Sequence, residues 1–101
     1  MVKKKPVVIW DTEAAEQLKE IYDYIKPDSL QAAQKVKSEI IATTKIIPSN
    51  PEMFALDLLR ENNYGSYRAF FIYSYRIAYK ITDDAILILR IRHTSREPEE
   101  Y

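Results

Sequence analysis

Two arginines alternate with aliphatic residues in ILILRIRHTSRE, residues 86–97, and a third follows: Arg90, Arg92 and Arg96 flank His93, the one histidine of the chain. A strand that only fills a core has no use for such charge. Guanidinium forks pair bidentately with phosphoryl oxygens, and an imidazole titrates near neutrality, so this run combines anion clamps with a proton carrier. Arg68 and Arg76 stand in two further β-rich runs, YRAFF and YRIAYKI. If the strands bring them beside Arg92 and Arg96, the cluster has cations able to stabilise the crowded, negatively charged phosphorane of a metal-free phosphoryl transfer. That reaction also requires a base, and an acid for the leaving oxygen. The competing role for the arginines is a solvated sheet face or a protein contact. For His93 it is a hydrogen-bonded residue at the sheet margin, the commoner role of a lone histidine.

Composition limits the alternatives. At 101 residues, 47% apolar and 30% charged, the chain fits one globular domain over residues 1–101, with a single core. It has no cysteine and one histidine, which excludes disulfides and thiolate or imidazole metal clusters, so neither metal nor cofactor is expected. No apolar run approaches the roughly 18–20 residues of a membrane span, and Val7 to Trp10 is too short an apolar follow-on for a signal peptide. A cytoplasmic protein with no membrane association is expected. Lys3, Lys4 and Lys5 read as a solvated terminus. The net charge is zero, but residues 11–47 carry seven acids against five bases while residues 64–96 carry two acids against six bases. The C-terminal half therefore has a locally basic face, suited to a weak or local anionic contact rather than tight nonspecific nucleic-acid binding.

The elements that must position these residues follow from pattern. VVIW, between Pro6 and Asp11, reads as a short strand. Asp11 caps a helix on which Ala14, Leu18, Ile21 and Ile25 form one apolar stripe ending near Pro27. Asp28 or Ser29 caps a second helix with Ala33, Val36, Ile40 and Ile47 as its stripe, stopped at Pro48 and the turn-forming Ser49-Asn50-Pro51. Residues 52–66 read as a connection, in part strand. Runs at Tyr67–Phe71, Tyr75–Ile81 and Ile86–His93 are strands, with the last turn at Thr82–Ala85. Matching faces across the last hairpin places Ile81, Tyr79, Ile77 and Tyr75 opposite Leu87, Leu89, Ile91 and His93 on an apolar face. Lys80, Ala78 and Arg76 then oppose Ile88, Arg90 and Arg92 on a cationic face, to which alternation would add Arg68 and Phe70. The fold class is α+β, with an N-terminal strand and a helical hairpin covering the apolar side of an antiparallel sheet of three to four strands. The arginines are then expected on the uncovered side.

This order resembles the RelE/ParE superfamily, the toxic half of type II toxin–antitoxin pairs, over nearly the whole chain. WDTEAAEQLKEIYDYI resembles the first helix of that family. The loop with Pro48 and Pro51, then YGSYR, precedes the sheet; YRIAYKI resembles its middle strand, and ILILRIRHTSRE its last strand and tail. The resemblance implies a curled sheet, a cognate antitoxin as partner, a toxin–antitoxin hetero-oligomer, and a part in plasmid stabilisation. RelE-like members cut messenger RNA on the ribosome. For these, Arg76 matches the arginine of the middle strand, Arg96 the arginine after the last strand, and Tyr101, slightly closer in sequence, the C-terminal tyrosine. His93 imitates the histidine other nuclease members carry near the tail. Arg68 matches one of two basic residues in the preceding strand, whereas Phe70 stands where the second is expected. ParE-like members instead inhibit DNA gyrase by binding it. Neutral charge and the missing basic residue favour that reading slightly, with the ribosome-dependent nuclease and an inactive family member as alternatives.

Overall fold

The computed structural model describes residues 5–96. Strand β1 (Val7–Trp10) leads into helix α1 (Thr12–Ile25), then helix α2 (Leu30–Ile46) and a 3-10 turn (Ile47–Ser49). A long connection follows, then strands β2 (Tyr67–Ile72), β3 (Tyr75–Ile81) and β4 (Ala85–His93) and a second 3-10 turn (Thr94–Arg96). The sheet order is β1-β4-β3-β2, with β2, β3 and β4 antiparallel and β1 added parallel to β4.

Each helix starts where its cap permits. The Asp11 carboxylate accepts the Glu13 N–H at 3.0 Å, and the Ser29 hydroxyl, rather than Asp28, accepts the Ala32 N–H at 3.1 Å. Both satisfy amides that the helix itself leaves without acceptors. Ala14 and Leu18 of α1, with Ala33 and Ile40 of α2, turn inward onto Phe70, Ile77, Tyr79, Ile86, Ile88 and Ile91 of the sheet, and Ile47 closes the end of the core. Tyr79, wholly buried, donates its hydroxyl to the Pro51 carbonyl at 2.8 Å, tying the connection to the core.

The hairpin β3–β4 follows the expected register from Tyr75↔His93 to Ala78↔Arg90. Beyond Ala78 it shifts, so that Tyr79 faces Ile88, Lys80 faces Leu87 and Ile81 faces Ile86. The bulge skips Leu89. Strict alternation would have carried Ile88 to the cationic face, whereas the extra residue turns Ile86, Ile88 and Ile91 all into the core. The hairpin β2–β3 corrects a second expectation. Its turn holds only Tyr73 and Ser74, with Ile72 paired to Tyr75, so Arg68 faces Tyr79 and Phe70 faces Ile77. Arg68 and Phe70 therefore lie on the helix-covered face, not beside Arg76. Tyr73 supplies the positive φ (53°) usually left to glycine or asparagine, and its hydroxyl is held by the Glu39 carboxylate of α2 at 3.0 Å. Burial of Phe70, worth about 1.5–3 kcal/mol, favours this register over its neighbour.

Burial pushes the Tyr79 phenol above its ordinary value of 10.0, against smaller opposing pulls from the Arg68 guanidinium and a backbone hydrogen bond at Phe54. Below pH 10 the phenol is neutral in both folded and unfolded chains, and its contribution is constant. Above that, the unfolded chain releases the proton first, so stability falls as pH rises through the folded-state value. Denaturant melts between pH 8 and 11.5 should show a steeper alkaline loss for the native chain than for Tyr79→Phe. Parallel pH profiles would show that the phenol is not the group responsible.

Candidate functional site

Arg76, Arg90 and Arg92 keep the expected common face, with Arg76 directly opposite Arg92, but Arg68 lies on the other face and carboxylates meet Arg76 and Arg90. Arg76 lies on the face away from the helices, but the connection after α2 folds over that face and brings Asp57 onto its guanidinium as a direct ion pair, with side-chain exposures of 5% and 1%. Asp57 also accepts the Leu59 N–H at 2.9 Å, and its own N–H donates to the Tyr67 carbonyl at 2.9 Å. A bridge at Leu56↔Arg68 anchors the same segment along the outer edge of β2. The side of the sheet expected to be open is thus covered above β2 and β3, which corrects the expectation of an uncovered arginine face.

Arg90 is neutralised from another direction. Strand β1 ends at Trp10, opposite Ile88, and Arg90 lies beyond it. Its guanidinium meets Glu13 at 2.9 Å, with Asp11 at 3.9 Å, so the cap and the first turn of α1 supply one carboxylate each. Arg68, on the opposite face from Arg76, donates to the carbonyls of Gly65, Glu52 and Phe54 at 3.1, 3.3 and 2.8 Å. Arg96 ends the last 3-10 turn, and Tyr101 lies outside the described residues, as do Lys3, Lys4 and the glutamates at 97, 99 and 100.

His93 lines a cleft of about 440 Å³ between α1 and the end of β4, with Arg92 next to it in the strand but paired with Arg76 on the other face of the sheet. Gln17, Glu20, Ile21 and Tyr24 form its helical wall; Tyr75, Ile91, Arg92, His93 and Ser95 form the other. The His93 ring stands edge-on to Tyr75, centroids 5.3 Å apart, as their cross-strand pairing requires. Its Nδ1 accepts the Ser95 N–H at 3.1 Å and lies 2.8 Å from the Ser95 hydroxyl. A backbone amide can only donate, so the neutral ring carries its proton on Nε2. Gln17 closes the cleft at its base by accepting the Ile91 N–H at 2.7 Å, replacing the strand partner that β4 lacks beyond Trp10.

Sequence reasoning missed Asp57 and Gln17. Each is a single polar residue whose partner is distant along the chain, 19 and 74 positions away respectively. No local pattern marks either. The cleft itself offers two tyrosines, two isoleucines, an imidazole N–H and one carboxylate. These groups suit recognition of a mixed apolar and polar surface. They lack the concentration of cations that a phosphorane would need, since Arg68, Arg76 and Arg90 are held elsewhere by carbonyl or carboxylate partners.

Among the described residues, no helix is long and apolar enough to cross a membrane. Comparison with known proteins agrees with the fold. The chromosomal ParDE toxin–antitoxin system of P. aeruginosa contains a similar chain, with a TM-score of 0.69, 22% identity, and coverage of 88% of this chain and 96% of that one. The RelBE2 toxin–antitoxin complex of Mycobacterium tuberculosis contains another, with a TM-score of 0.64, 18% identity, and coverage of 89% and 99%. The YoeB dimer of Staphylococcus aureus gives 0.59, 17%, and coverage of 89% and 98%. No curated protein matches the sequence significantly. The family model for the ParE toxin of type II toxin–antitoxin systems, parDE, matches residues 8–98. This chain therefore belongs to the ParE toxin family, within the RelE/ParE superfamily of type II toxins.

Proposed function

We propose that the chain acts in the cytoplasm as a binding toxin that inhibits DNA gyrase and is neutralised by a cognate antitoxin. The observation that carries this reading is the engagement of Arg76, Arg90 and Arg68 by partners within the chain. The middle-strand arginine that an RNA-cleaving member would turn toward phosphate is instead buried against Asp57. Arg90 is bound to Glu13, and Arg68 serves backbone carbonyls on the other face. A buried, carboxylate-paired guanidinium has already spent the charge that would stabilise a phosphorane. The surface offered to gyrase is the cleft between α1 and β4, where Tyr24 is 80% exposed above Tyr75 and His93. Exposed tyrosines and arginines are the side chains that most often anchor protein contacts.

The purified chain should inhibit supercoiling by gyrase, while messenger RNA extracted after induction stays intact within ribosome-protected codons. Tyr24→Ala should weaken that inhibition at least about tenfold with an unchanged melting temperature, because the ring contributes to binding and not to the core. Cleavage inside ribosome-bound codons, with supercoiling unaffected, would instead identify a nuclease using Arg92, His93 and Arg96.

A further inference from the structure

Among the described residues that line the cleft between α1 and β4, Glu20 is the one carboxylate. Its neighbours on the helix surface, three and four positions away, are Glu16, Gln17, Asp23 and Tyr24, so α1 brings no cation to it. Lys19 is adjacent in sequence and does not face it. Over Thr12–Ile25 four acids stand against that single base, and the helical wall is negative. The strand wall does not offset this charge. His93 presents an imidazole whose Nδ1 is already held by Ser95, and Arg92 pairs with Arg76 on the opposite face of the sheet.

Other tyrosine rings of the chain show what an open ring attracts. Tyr22, which does not line the cleft, carries Lys37 at 5.3 Å and Lys26 at 6.0 Å, and Tyr67 carries Arg60 at 4.1 Å and Lys80 at 5.3 Å. The electron-rich faces of both rings are thus covered by cations of the chain itself. Tyr24 has no such cation among the described residues and is 80% exposed. An uncovered ring and an unmatched carboxylate therefore lie one helical turn apart on the same wall.

The shape of the cleft narrows the occupant. Its volume of about 440 Å³ lies within the range of about 300–1,000 Å³ common to ligand sites and accepts a long side chain with the backbone on either side. Ile21 and Ile91 give an alkyl stem an apolar path between the walls. An apolar anchor would fill the same space but strip water from Glu20 without supplying a counter-charge. An anion would meet Glu20 with Glu16 and Asp23 close behind it. A guanidinium meets every requirement, because it stacks flat on an aromatic ring, pairs bidentately with a carboxylate and is only weakly hydrated.

We propose that the cleft takes an arginine side chain of the target, its stem along Ile21 and Ile91, its guanidinium stacked on Tyr24 and paired with Glu20. This rests on the reading of the cleft as the surface offered to gyrase, and it makes Glu20 the residue that selects the partner.

The test uses the full chain and the peptide acetyl-Ala-Arg-Ala-amide, with citrulline in place of arginine as an uncharged isostere and leucine as an apolar control. Followed by the ring resonances of Tyr24, Tyr75 and His93, the arginine peptide should give saturable shifts, and the other two peptides should bind at least about tenfold more weakly. Glu20→Gln should weaken the arginine peptide by about tenfold with an unchanged melting temperature, since the carboxylate is exposed and has no cation beside it on the helix. Glu20→Lys, which repels a guanidinium, should weaken inhibition of gyrase supercoiling by at least about tenfold. Shifts that do not saturate, equal binding of the citrulline or leucine peptide, or full inhibition by Glu20→Lys would overturn the proposal. If that last variant inhibits fully while Tyr24→Ala does not, the gyrase reading stands and the arginine is rejected. Saturable, Glu20-dependent binding of the arginine peptide to a chain that leaves supercoiling untouched would keep the chemistry of the cleft and reject gyrase as the source of the arginine.

Discussion

Asp57→Ala should lower the stability of the folded chain by about 3–5 kcal/mol, and Arg76→Ala by a similar amount. For a domain near this length that corresponds to a fall in melting temperature of more than about 10 °C. The cause is asymmetric. Their mutual attraction offsets a large desolvation cost, so the intact pair adds little net stability. Removal of one partner leaves a buried charge with most of that cost uncompensated. Asp57→Ala also deprives the Leu59 N–H of its acceptor, and so loosens the turn that holds the loop over the sheet. Replacement of both residues, as Asp57→Leu with Arg76→Met, should recover most of the loss, because an apolar pair of similar volume needs no compensation. Circular dichroism melts of the three variants decide the matter. A stable Arg76→Ala chain would show that the guanidinium is not a structural group and return it to the list of residues available to a substrate. Loss of toxicity in Arg76→Ala is therefore informative about chemistry only when the folded fraction is measured beside it.

The same ion pair shows where sequence reading reached its limit. The helical hairpin was legible because each helix announces itself twice, through a capping side chain at its start and an apolar stripe along its length. Ala14, Leu18, Ala33 and Ile40 are buried as those stripes require. The inner half of β3–β4 was legible for a similar reason. A one-residue slip would set Arg90 and Arg92 among the aliphatic side chains of the covered face, and matching faces puts Tyr75 opposite His93, as observed. The outer half was not, because a bulge needs no special residue type. Leu89 looks like its neighbours, and its omission from the ladder is decided by which isoleucines the helices can cover. The β2 register failed at a turn whose positive φ falls on Tyr73, a residue that turn chemistry alone would pass over. Both errors shifted side chains by one position, and a one-residue shift exchanges the faces of a sheet. Arg68 thereby moved from the expected cluster to the opposite side. The family resemblance survived these shifts because it depends on the order of elements and not on which way their arginines point.

Arg68→Ala should cost about 2–4 kcal/mol and release residues 52–66 from the sheet, with no need for any anionic ligand to reveal the effect. A charged donor to a backbone carbonyl contributes roughly 1.5–3 kcal/mol, and Arg68 serves three of them at once from within the core-facing side. Its substitution leaves the Phe54 and Gly65 carbonyls short of a donor, and removes the cation beside the buried Tyr79 hydroxyl. Arg68→Lys should recover little, because an ammonium presents its donors from one point and cannot span carbonyls that a planar fork reaches together. Native-state hydrogen exchange should show the amides of Asp57 and Ala69, which join the loop to β2, exchanging faster in Arg68→Ala, while those of α1 keep their protection. A phosphate clamp would behave in the opposite way, losing ligand affinity and sparing the loop. Unchanged exchange at Asp57 and Ala69 would mean that the bridge to β2 holds the segment without the arginine. Since that segment also carries Asp57 over Arg76 and Leu58 beside Phe71, its release should disturb the apolar hollow beside Phe71 before it disturbs the cleft between α1 and β4. Arg68 thus acts through the loop that it fastens, and its charge need never meet an anion directly.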